Sequence, residues 1–238
     1  MGNCAVFDRV IAKADNIFSY LVVDLPGHGK TKIIGKEELY NMHNTAQALI
    51  ELLNSLTIKK CFLVGYSMGG RLALYLTLNF PQYFSKVILE SVSPGLKTER
   101  ERNIRRDRDF KLAKDLESID FFLFLERWYS NSLFLSLKQH PQFSKILATR
   151  LENNPQELAK SLRNLSTGLQ PSLWNKLPEN RIAILLLAGE LDKKFVTINS
   201  QMSNLSRHIN LKIIKGCGHN IHFENPQEFT YIMKSFFT

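Results

Sequence analysis

The stretch Gly65-Tyr66-Ser67-Met68-Gly69-Gly70-Arg71 decides how the rest of the chain is interpreted. It contains G-x-S-x-G, the pattern of a nucleophile elbow, in which a serine lies at a sharp turn between a strand and a helix. The apolar run 60–64 before it predicts a buried strand, and helix-forming residues follow over 71–78. The glycines are expected where a Cβ would clash at this turn. Ser67 would then lie above the sheet edge, with the backbone N–H of Met68 directed at any negative charge that forms there.

Composition limits the classes of protein that the chain can represent. Its 238 residues, 44% of them hydrophobic, predict one globular domain with room for an insertion. The net charge is +9, which would suit nucleic acid, but Lys and Arg are scattered without a long basic run. We therefore expect an anionic small-molecule substrate and no nucleic-acid partner, while the oligomeric state stays open.

Cysteine usage and the absence of long apolar runs bear on the compartment. Cys4, Cys61 and Cys217 have no metal-ligand spacing and are interpreted as free thiols of a reducing compartment. The longest apolar run, 182–188, is too short to span a membrane, and no signal-peptide pattern begins the chain. Val6 stands where a myristoylation motif requires Ser or Thr. These features predict a cytoplasmic protein without membrane insertion, or a protein of the plastid stroma if the gene is plastid-encoded.

Apolar runs and helical patterns alternate along the first hundred residues. Buried strands are expected at 18–24, 61–64 and 86–90, because each is a short apolar run. Apolar residues at helical spacing predict a helix over 37–56, and a second helix runs from the elbow to about residue 80, before Pro81. This β-α-β-α-β order predicts a parallel sheet that is covered by helices on both faces.

The alternation stops between residues 97 and 177, which contain no strand-like run. Helical stretches are expected there at 99–110, 119–128, 133–137, 143–150 and 155–169. Strands return at 182–187 and 211–214, and an amphipathic helix over 226–236 ends the chain. The sequence therefore predicts an α/β core made of residues 1–96 and 178–238, with residues 97–177 inserted as a helical cap.

A serine nucleophile needs a histidine base, and the histidine needs a carboxylate that fixes its tautomer. Asp192 and His219 each follow a predicted strand, and they come after Ser67 in the order that this type of elbow uses. We therefore predict a catalytic triad of Ser67, Asp192 and His219. The alternatives, each a polar residue near a predicted strand end, are Glu190, His222 and His28.

Arg71 adds a charge that an ordinary esterase does not need. It lies four residues after Ser67, one helical turn on and on the same face. A cation in the first turn of a helix is repelled by the partial positive charge of the helix N-terminus. An anion bound between the cation and the N-terminus would offset that repulsion. We predict that Arg71 binds a substrate carboxylate, the alternative being a surface-paired side chain.

With these residues the chain resembles the α/β-hydrolase superfamily and, more narrowly, the 2-succinyl-6-hydroxy-2,4-cyclohexadiene-1-carboxylate (SHCHC) synthases of menaquinone and phylloquinone biosynthesis. The resemblance covers essentially the whole chain. The more specific shared features are the Arg that ends the elbow, Ser93-Pro94-Gly95-Leu96 before an Arg-rich helix, and Leu165-Ser166-Thr167-Gly168-Leu169-Gln170-Pro171. Broader matches are Val23-Asp24-Leu25-Pro26-Gly27-His28-Gly29, Trp128-Tyr129, Gly189-Glu190-Leu191-Asp192-Lys193-Lys194-Phe195, and the stretch from Gly218-His219 to Pro226.

The resemblance implies an α/β-hydrolase fold and a lyase reaction, the elimination of pyruvate from 2-succinyl-5-enolpyruvyl-6-hydroxy-3-cyclohexene-1-carboxylate. It implies the triad named above, the Met68 N–H as an oxyanion donor, and no metal or organic cofactor. Its substrate-binding residues fall on Tyr66, Arg71, Arg105, Trp128 and Arg150. Other arginines in the same charged stretch, which are alternatives to Arg105, are Arg102, Arg106 and Arg108.

Two other functions stay open. A carboxylesterase or C–C hydrolase of the same fold would form an acyl-enzyme on Ser67, and a non-catalytic, truncated α/β-hydrolase-like protein would turn nothing over. The resemblance also implies a strand ending in His-Gly ahead of Gly2, which supplies a second oxyanion N–H and pairs between 18–24 and 61–64. We therefore expect an N-terminally shortened chain whose two inner strand edges are unpaired.

Overall fold

A sheet of four parallel strands forms the centre of the computed structural model, which describes residues 1–14 and 17–238. Neighbouring strands pair in parallel throughout. In their order across the sheet, the strands are β1 Cys61–Tyr66, β2 Phe84–Glu90, β3 Ala183–Gly189 and β4 Ile209–Ile214. Because all four run in the same direction, the loops that follow them meet at one edge of the sheet, where ligands of open α/β folds bind.

Helices connect and cover the strands. In chain order the α-helices are α1 Asp8–Ile11, α2 Met42–Ser55, α3 Ser67–Asn79, α4 Glu99–Ser118, α5 Phe121–Tyr129, α6 Leu135–Lys138, α7 Phe143–Leu151, α8 Pro155–Asn164, α9 Lys193–Ser203, α10 Ile221–Glu224 and α11 Pro226–Phe237. Short 3-10 turns occur at Cys4–Phe7, Glu37–Tyr40, Pro81–Tyr83, Ser132–Phe134 and Trp174–Glu179. In the described part of the chain, no helix combines the length and the apolar character that crossing a membrane requires.

Alternate residues of β2 bury the two faces of the sheet. Val87 and Leu89 pack into a cluster with residues of α2, α3 and α9, whereas Ile88 packs on the opposite side with residues of α1 and α11. All three side chains are fully buried. Full burial of such a side chain stabilises the fold by ~1.5–3 kcal/mol, so the apolar strand pattern accounts for helices on both faces.

The segment between β2 and β3 is helical, as expected. Its first helix, α4, begins at a capping box, in which Thr98 Oγ1 accepts from the Glu101 N–H at 3.2 Å and Glu101 Oε2 accepts from the Thr98 N–H at 2.9 Å. A third apolar cluster lies within the segment and includes Leu116, Leu125, Leu137, Ile146 and Leu158. The division into a core and a cap stays a prediction.

The strand expected at 18–24 is wrong, because these residues lie outside every strand. The apolar side chains of Tyr20, Leu21, Val22 and Val23 remain 36–47% exposed. No backbone–backbone hydrogen bond among the described residues joins this segment to β1, and a cavity of about 980 Å³ is lined by both. An apolar sequence favours burial, but a strand also needs a neighbouring backbone that completes its hydrogen bonds. β1 is therefore an edge strand of the described sheet.

Some helix predictions also differ from the structure in their bounds, since the stretch expected over 99–110 continues to Ser118 as α4. The helix expected over 37–56 is divided at Asn41, whose extended backbone separates a 3-10 turn from α2 and whose side chain caps α2 by accepting from the Asn44 N–H at 2.8 Å. The helix expected over 155–169 ends at Asn164. The residues after it form a loop in which Ser166 Oγ accepts from the Gly168 N–H at 3.0 Å.

Candidate active site

Ser67 lies at the turn between β1 and α3, in a backbone conformation that side chains rarely adopt. Its φ is +48°, in the left-handed region that costs a non-glycine residue free energy. A Cβ on Gly65 would lie 2.7 Å from the Ala73 Cβ, and one on Gly70 would lie 3.0 Å from the Gly65 carbonyl oxygen. Glycine is therefore required at position 65 and avoids a tight backbone contact at position 70, whereas a Cβ on Gly69 would meet only Leu25 at 4.0 Å.

The structure places Ser67, His219 and Asp192 in a chain of two hydrogen bonds. His219 Nε2 lies 3.0 Å from Ser67 Oγ, and His219 Nδ1 lies 2.6 Å from Asp192 Oδ2. Both His219 and Asp192 are buried. With Nδ1 donating to the carboxylate, Nε2 is free to accept the proton of the Ser67 hydroxyl, which is the arrangement that a serine nucleophile or base requires.

Several contacts hold His219 in place. Ser91 Oγ donates to the His219 carbonyl oxygen at 3.1 Å, and Asp192 is itself fixed as the N-cap of α9, where it accepts from the Phe195 N–H at 3.4 Å. The ring of Phe195 lies 4.8 Å from the His219 ring between centroids, and Phe134 of the helical insertion approaches from another side at 5.8 Å. The imidazole therefore has little freedom to turn away from Ser67.

The alternative triad members lie elsewhere. His222 points to Glu90, with His222 Nδ1 2.7 Å from Glu90 Oε2, and both side chains are buried. Glu190 accepts from the Gly216 N–H at 3.0 Å. His28 lies with Nδ1 3.2 Å from the Pro26 carbonyl oxygen, and its burial, followed by the charge of the chain's amino terminus, lowers its pKa to about 3. His28 is therefore a neutral turn residue at neutral pH.

One cavity joins Ser67 and His219 to the predicted substrate-binding residues. Its volume is about 980 Å³, and it extends from the triad to the segment 17–25 and β1. Its lining includes Tyr66, Met68, Arg71, Arg105, Trp128 and Arg150. Three arginines therefore line the same cavity as the serine, which suits a ligand with several carboxylates.

Arg71 is held by two neutral acceptors. Its Nη1 donates to Gln170 Oε1 and its Nη2 donates to the Leu165 carbonyl oxygen, each at 2.9 Å. Burial, followed by the nearby charge of Arg105, lowers the Arg71 pKa to about 10. The side chain is thus still charged at neutral pH but lies where a negative ligand would be favoured.

The other two arginines have different partners. Arg105 Nε donates to Asp109 Oδ1 at 2.8 Å, which forms an ion pair along α4. Arg150 is buried, and its Nε donates to the Tyr129 hydroxyl at 3.3 Å. Arg150 makes no ion pair with a carboxylate anywhere in residues 1–14 and 17–238. The alternatives to Arg105 in α4, which do not line the cavity, are Arg102, Arg106 and Arg108.

Aromatic residues complete the walls. Tyr66 donates its hydroxyl to Asn220 Oδ1 at 2.7 Å, and burial, followed by the charge of Glu90, raises its pKa well above the usual value. Tyr66 is therefore a protonated hydrogen-bond donor at neutral pH. Trp128 stacks on Phe124 with 6.1 Å between ring centroids and contributes an apolar wall.

Three residues near the site were not singled out from the sequence. Lys194 lines the cavity, and burial, followed by the charge of Arg105, lowers its pKa. Gln170 contacts Arg71, and Glu224 accepts from the backbone N–H groups on either side of His219. All three lie within stretches that carry the family resemblance, but a single sequence does not indicate which side chains of such a stretch turn inward.

Comparison with known proteins identifies the family of the chain. The chain matches the family described as alpha/beta hydrolase fold over residues 2–226. It is 36% identical over 218 residues to the putative SHCHC synthase of Bacillus subtilis, a match that covers 91% of this chain and 80% of that protein. It is 35% identical over 231 residues to Protein PHYLLO, chloroplastic, of Arabidopsis thaliana, covering 91% of this chain but only 14% of that much longer protein.

A solved structure, MenH from S. aureus, is similar over nearly the whole chain. The two share 36% sequence identity with a TM-score of 0.94, and the match covers 98% of this chain and 88% of that one. The predicted α/β-hydrolase fold is therefore confirmed, with its parallel sheet between helices. The chain belongs to the α/β-hydrolase fold family and, within it, to the family of SHCHC synthases.

Proposed function

We propose that the chain is an SHCHC synthase, a carbon–oxygen lyase that eliminates pyruvate from 2-succinyl-5-enolpyruvyl-6-hydroxy-3-cyclohexene-1-carboxylate. Support comes from the cavity in which Ser67, hydrogen-bonded to His219, faces the same space as Arg71, Arg105 and Arg150. Family membership and the names of the relatives support the same reaction. The insertion 97–177 would act as a cap, since it supplies Arg105 and Arg150 to this cavity.

The triad would act here as a base. His219 Nε2, 3.0 Å from Ser67 Oγ, would take the hydroxyl proton, and Asp192 would stabilise the imidazolium that results. The Ser67 oxygen would then remove a ring proton from the substrate. The electrons of that C–H bond would form a new ring double bond, the existing ring double bond would shift to the carbon that carries the enolpyruvyl group, and the C–O bond at that carbon would break. The group that leaves is the enolate of pyruvate, and the imidazolium of His219 would return its proton to this enolate, which gives pyruvate and neutral His219. The Met68 N–H, at the start of α3, would stabilise the oxyanion that develops on a substrate carbonyl.

The arginines would orient the substrate for that proton transfer. The substrate has three carboxylates, on the ring, the succinyl arm and the enolpyruvyl group, and three guanidinium groups line the cavity. Each charge-assisted hydrogen bond of this kind contributes ~1.5–3 kcal/mol. Arg71, one helical turn from Ser67, would bind the carboxylate nearest to the reacting carbon.

Pyruvate release by the purified protein tests the proposal. The protein is mixed with the enolpyruvyl substrate, and pyruvate is followed through lactate dehydrogenase and NADH, with Ser67→Ala as the matched control. We expect stoichiometric pyruvate from the wild type and a loss of at least ~10³-fold in kcat for the variant, the scale of removing a triad member. No pyruvate from a folded wild-type protein would contradict the proposal.

The hydrolase alternative predicts a different product. A carboxylesterase or C–C hydrolase would form an ester on Ser67, so a quenched reaction with p-nitrophenyl acetate would show an acyl adduct on the peptide that contains Ser67. Rapid ester turnover without pyruvate release would support the hydrolase. A protein without either activity would support the non-catalytic alternative.

A further inference from the structure

The loop 165–170, which connects α8 to the rest of the insertion, holds two of the cavity's cations in different ways. Its Gln170 side chain and Leu165 carbonyl accept from Arg71, and both acceptors are neutral. Its Ser166 hydroxyl donates to Asp109 Oδ2 at 2.6 Å, and Asp109 in turn pairs with Arg105 at 2.8 Å. The loop therefore fixes Arg71 without neutralising it, while it fixes the carboxylate that neutralises Arg105.

Gln170 is itself restrained at both ends of its amide. Its Oε1 accepts from Arg71 at 2.9 Å, while its Nε2 lies 3.5 Å from the Ser93 carbonyl oxygen, and the residue is 1% exposed. A donor on one side and an acceptor on the other determine which way the amide points. Leu would offer Arg71 no acceptor. Glu would keep the acceptor but add a negative charge and lose the donor to Ser93.

The charge state at position 170 therefore decides what Arg71 can bind. Arg71 makes no ion pair with any carboxylate in the described residues, and it is half-buried, with burial as the main cause of its lowered pKa. A charge held in that environment interacts more strongly with an incoming anion than an exposed one would. A carboxylate at position 170 would occupy the same guanidinium face and compete with that anion.

We propose that Gln170 is a specificity-determining positioning residue, which orients Arg71 beside Ser67 while leaving the positive charge of Arg71 available to a carboxylate of the substrate. The preference of the cavity for anionic over neutral ligands then depends on residue 170 being an uncharged acceptor. This inference rests on the proposed function of the cavity as a carboxylate pocket.

The test compares Gln170→Glu with Gln201→Glu, the same chemical change at an exposed position of α9 that contacts Lys97. Succinate is the probe, and its dissociation constant is measured by titration calorimetry at two salt concentrations. We expect Gln170→Glu to weaken succinate binding at least tenfold and to reduce its salt dependence. Gln201→Glu should stay within twofold of the wild type. Equal affinities in the two variants would overturn the proposal.

A second variant separates charge from position. Gln170→Met keeps the length of the side chain but removes the acceptor, so Arg71 keeps its charge and loses its orientation. We expect Gln170→Met to raise KM for the enolpyruvyl substrate severalfold while retaining salt-dependent succinate binding. If Gln170→Met binds succinate as weakly as Gln170→Glu does, charge at position 170 is not what matters and the proposal is wrong.

A neutral probe of Ser67 controls for damage to the triad. Labelling by a neutral fluorophosphonate should proceed at the wild-type rate in Gln201→Glu and should still go to completion on Ser67 in both Gln170 variants, which would show that the triad is intact. Failure of the proposed lyase function gives a different result from failure of this inference. In the first case the wild type releases no pyruvate, yet succinate affinity still depends on residue 170. In the second case pyruvate is released, and Gln170→Glu behaves like Gln201→Glu.

Discussion

Glu90, at the end of β2, and His222 form a buried hydrogen-bonded pair with 2.7 Å between Oε2 and Nδ1. The same carboxylate accepts from the His222 backbone N–H at 3.2 Å, and Phe7 stacks on the imidazole with 4.7 Å between ring centroids. Tyr66 packs against His222 from another side, also at 4.7 Å between centroids. The second histidine of the loop is thus anchored to the sheet.

Exchanging His219 and His222 for Gln should separate the role of His219 as a base from the structural role of His222. His219→Gln should reduce kcat for pyruvate release by at least ~10³-fold, because Ser67 loses its base. His222→Gln should keep most of the activity but lower the free energy of unfolding by ~1–3 kcal/mol, because Glu90 loses a buried partner. Kinetics and urea denaturation of the two variants provide the measurement. A His222→Gln variant that is stable but inactive would contradict the assignment of His219 as the base.

Replacing Glu224 should affect both the position of His219 and the pH dependence of the protein's stability. Its carboxylate accepts from the Gly218 N–H at 2.7 Å, from the Asn220 N–H at 3.3 Å and from Ser136 Oγ of the insertion at 3.2 Å. A Gln side chain has only one oxygen and would set its NH₂ group against a backbone donor. We expect Glu224→Gln to lower kcat ~10-fold with little change in KM, as His219 shifts, since a small misplacement is costly for catalysis.

The difference in stability between the wild type and Glu224→Gln should depend on pH in a known direction. Burial is the largest influence on Glu224 and raises its pKa in the folded protein. The folded state therefore favours the protonated form, so the associated stabilisation is present at acid pH and is lost as the pH rises through the raised pKa. Relative to Glu224→Gln, the wild type should gain free energy of unfolding as the pH falls towards the ordinary carboxyl value. Ser136→Ala, which removes only the contact to the insertion, is the control, and a difference that is flat with pH would contradict the argument.

The cavity arginines should matter through binding. Replacing Arg71, Arg105 or Arg150 by Ala should in each case reduce kcat/KM. The loss of transition-state stabilisation calculated from kcat/KM should be ~1.5–3 kcal/mol, the free energy of a charge-assisted hydrogen bond. Arg127→Ala, an exposed position of α5, should have no effect. Steady-state kinetics of pyruvate release measures this. If only Arg71→Ala is impaired, the result would contradict a pocket that binds several carboxylates and would favour the hydrolase alternative.

The segment 20–23 should promote self-association. Its apolar side chains are 36–47% exposed and lie beside the edge of β1 that pairs with no strand among residues 1–14 and 17–238, a combination that favours pairing between molecules. We expect Leu21→Lys to reduce light scattering and the binding of a hydrophobic dye. Leu205→Lys, at an apolar position that is 39% exposed and outside the cavity lining, should change neither. Equal effects of both variants would show that the segment has no special role.

The sequence predicted the sheet well because buried parallel strands are short apolar runs with clear ends. The runs at 61–64, 86–90, 182–187 and 211–214 all fall within observed strands or within one residue of them. The run at 18–24 has the same composition but no strand beside it. Composition indicates that a segment will be buried, yet it does not indicate whether a neighbouring backbone is available for pairing.

The partners of the site residues could not be predicted in the same way. The choice of His219 over His222 follows from chain order, but what removes His222 from the site is Glu90, which lies 132 positions away in sequence. The spacing of Arg71 to Ser67 indicates a role for Arg71, whereas its acceptor Gln170 is 99 positions away. Contacts between such distant segments depend on how the insertion packs on the sheet, which helical periodicity does not encode.

The cavity that joins Ser67 to the edge of β1 has a consequence for hydration. The proposed elimination consumes no water, whereas hydrolysis of an ester consumes one molecule per turnover. The cavity around Ser67 reaches the edge of β1, and active sites that suppress hydrolysis do so by excluding water. Larger side chains at Val22 or Phe62, both on the cavity wall, would reduce the space behind the serine. The ratio of elimination to hydrolysis by one and the same serine would then depend on how completely the substrate fills its surroundings.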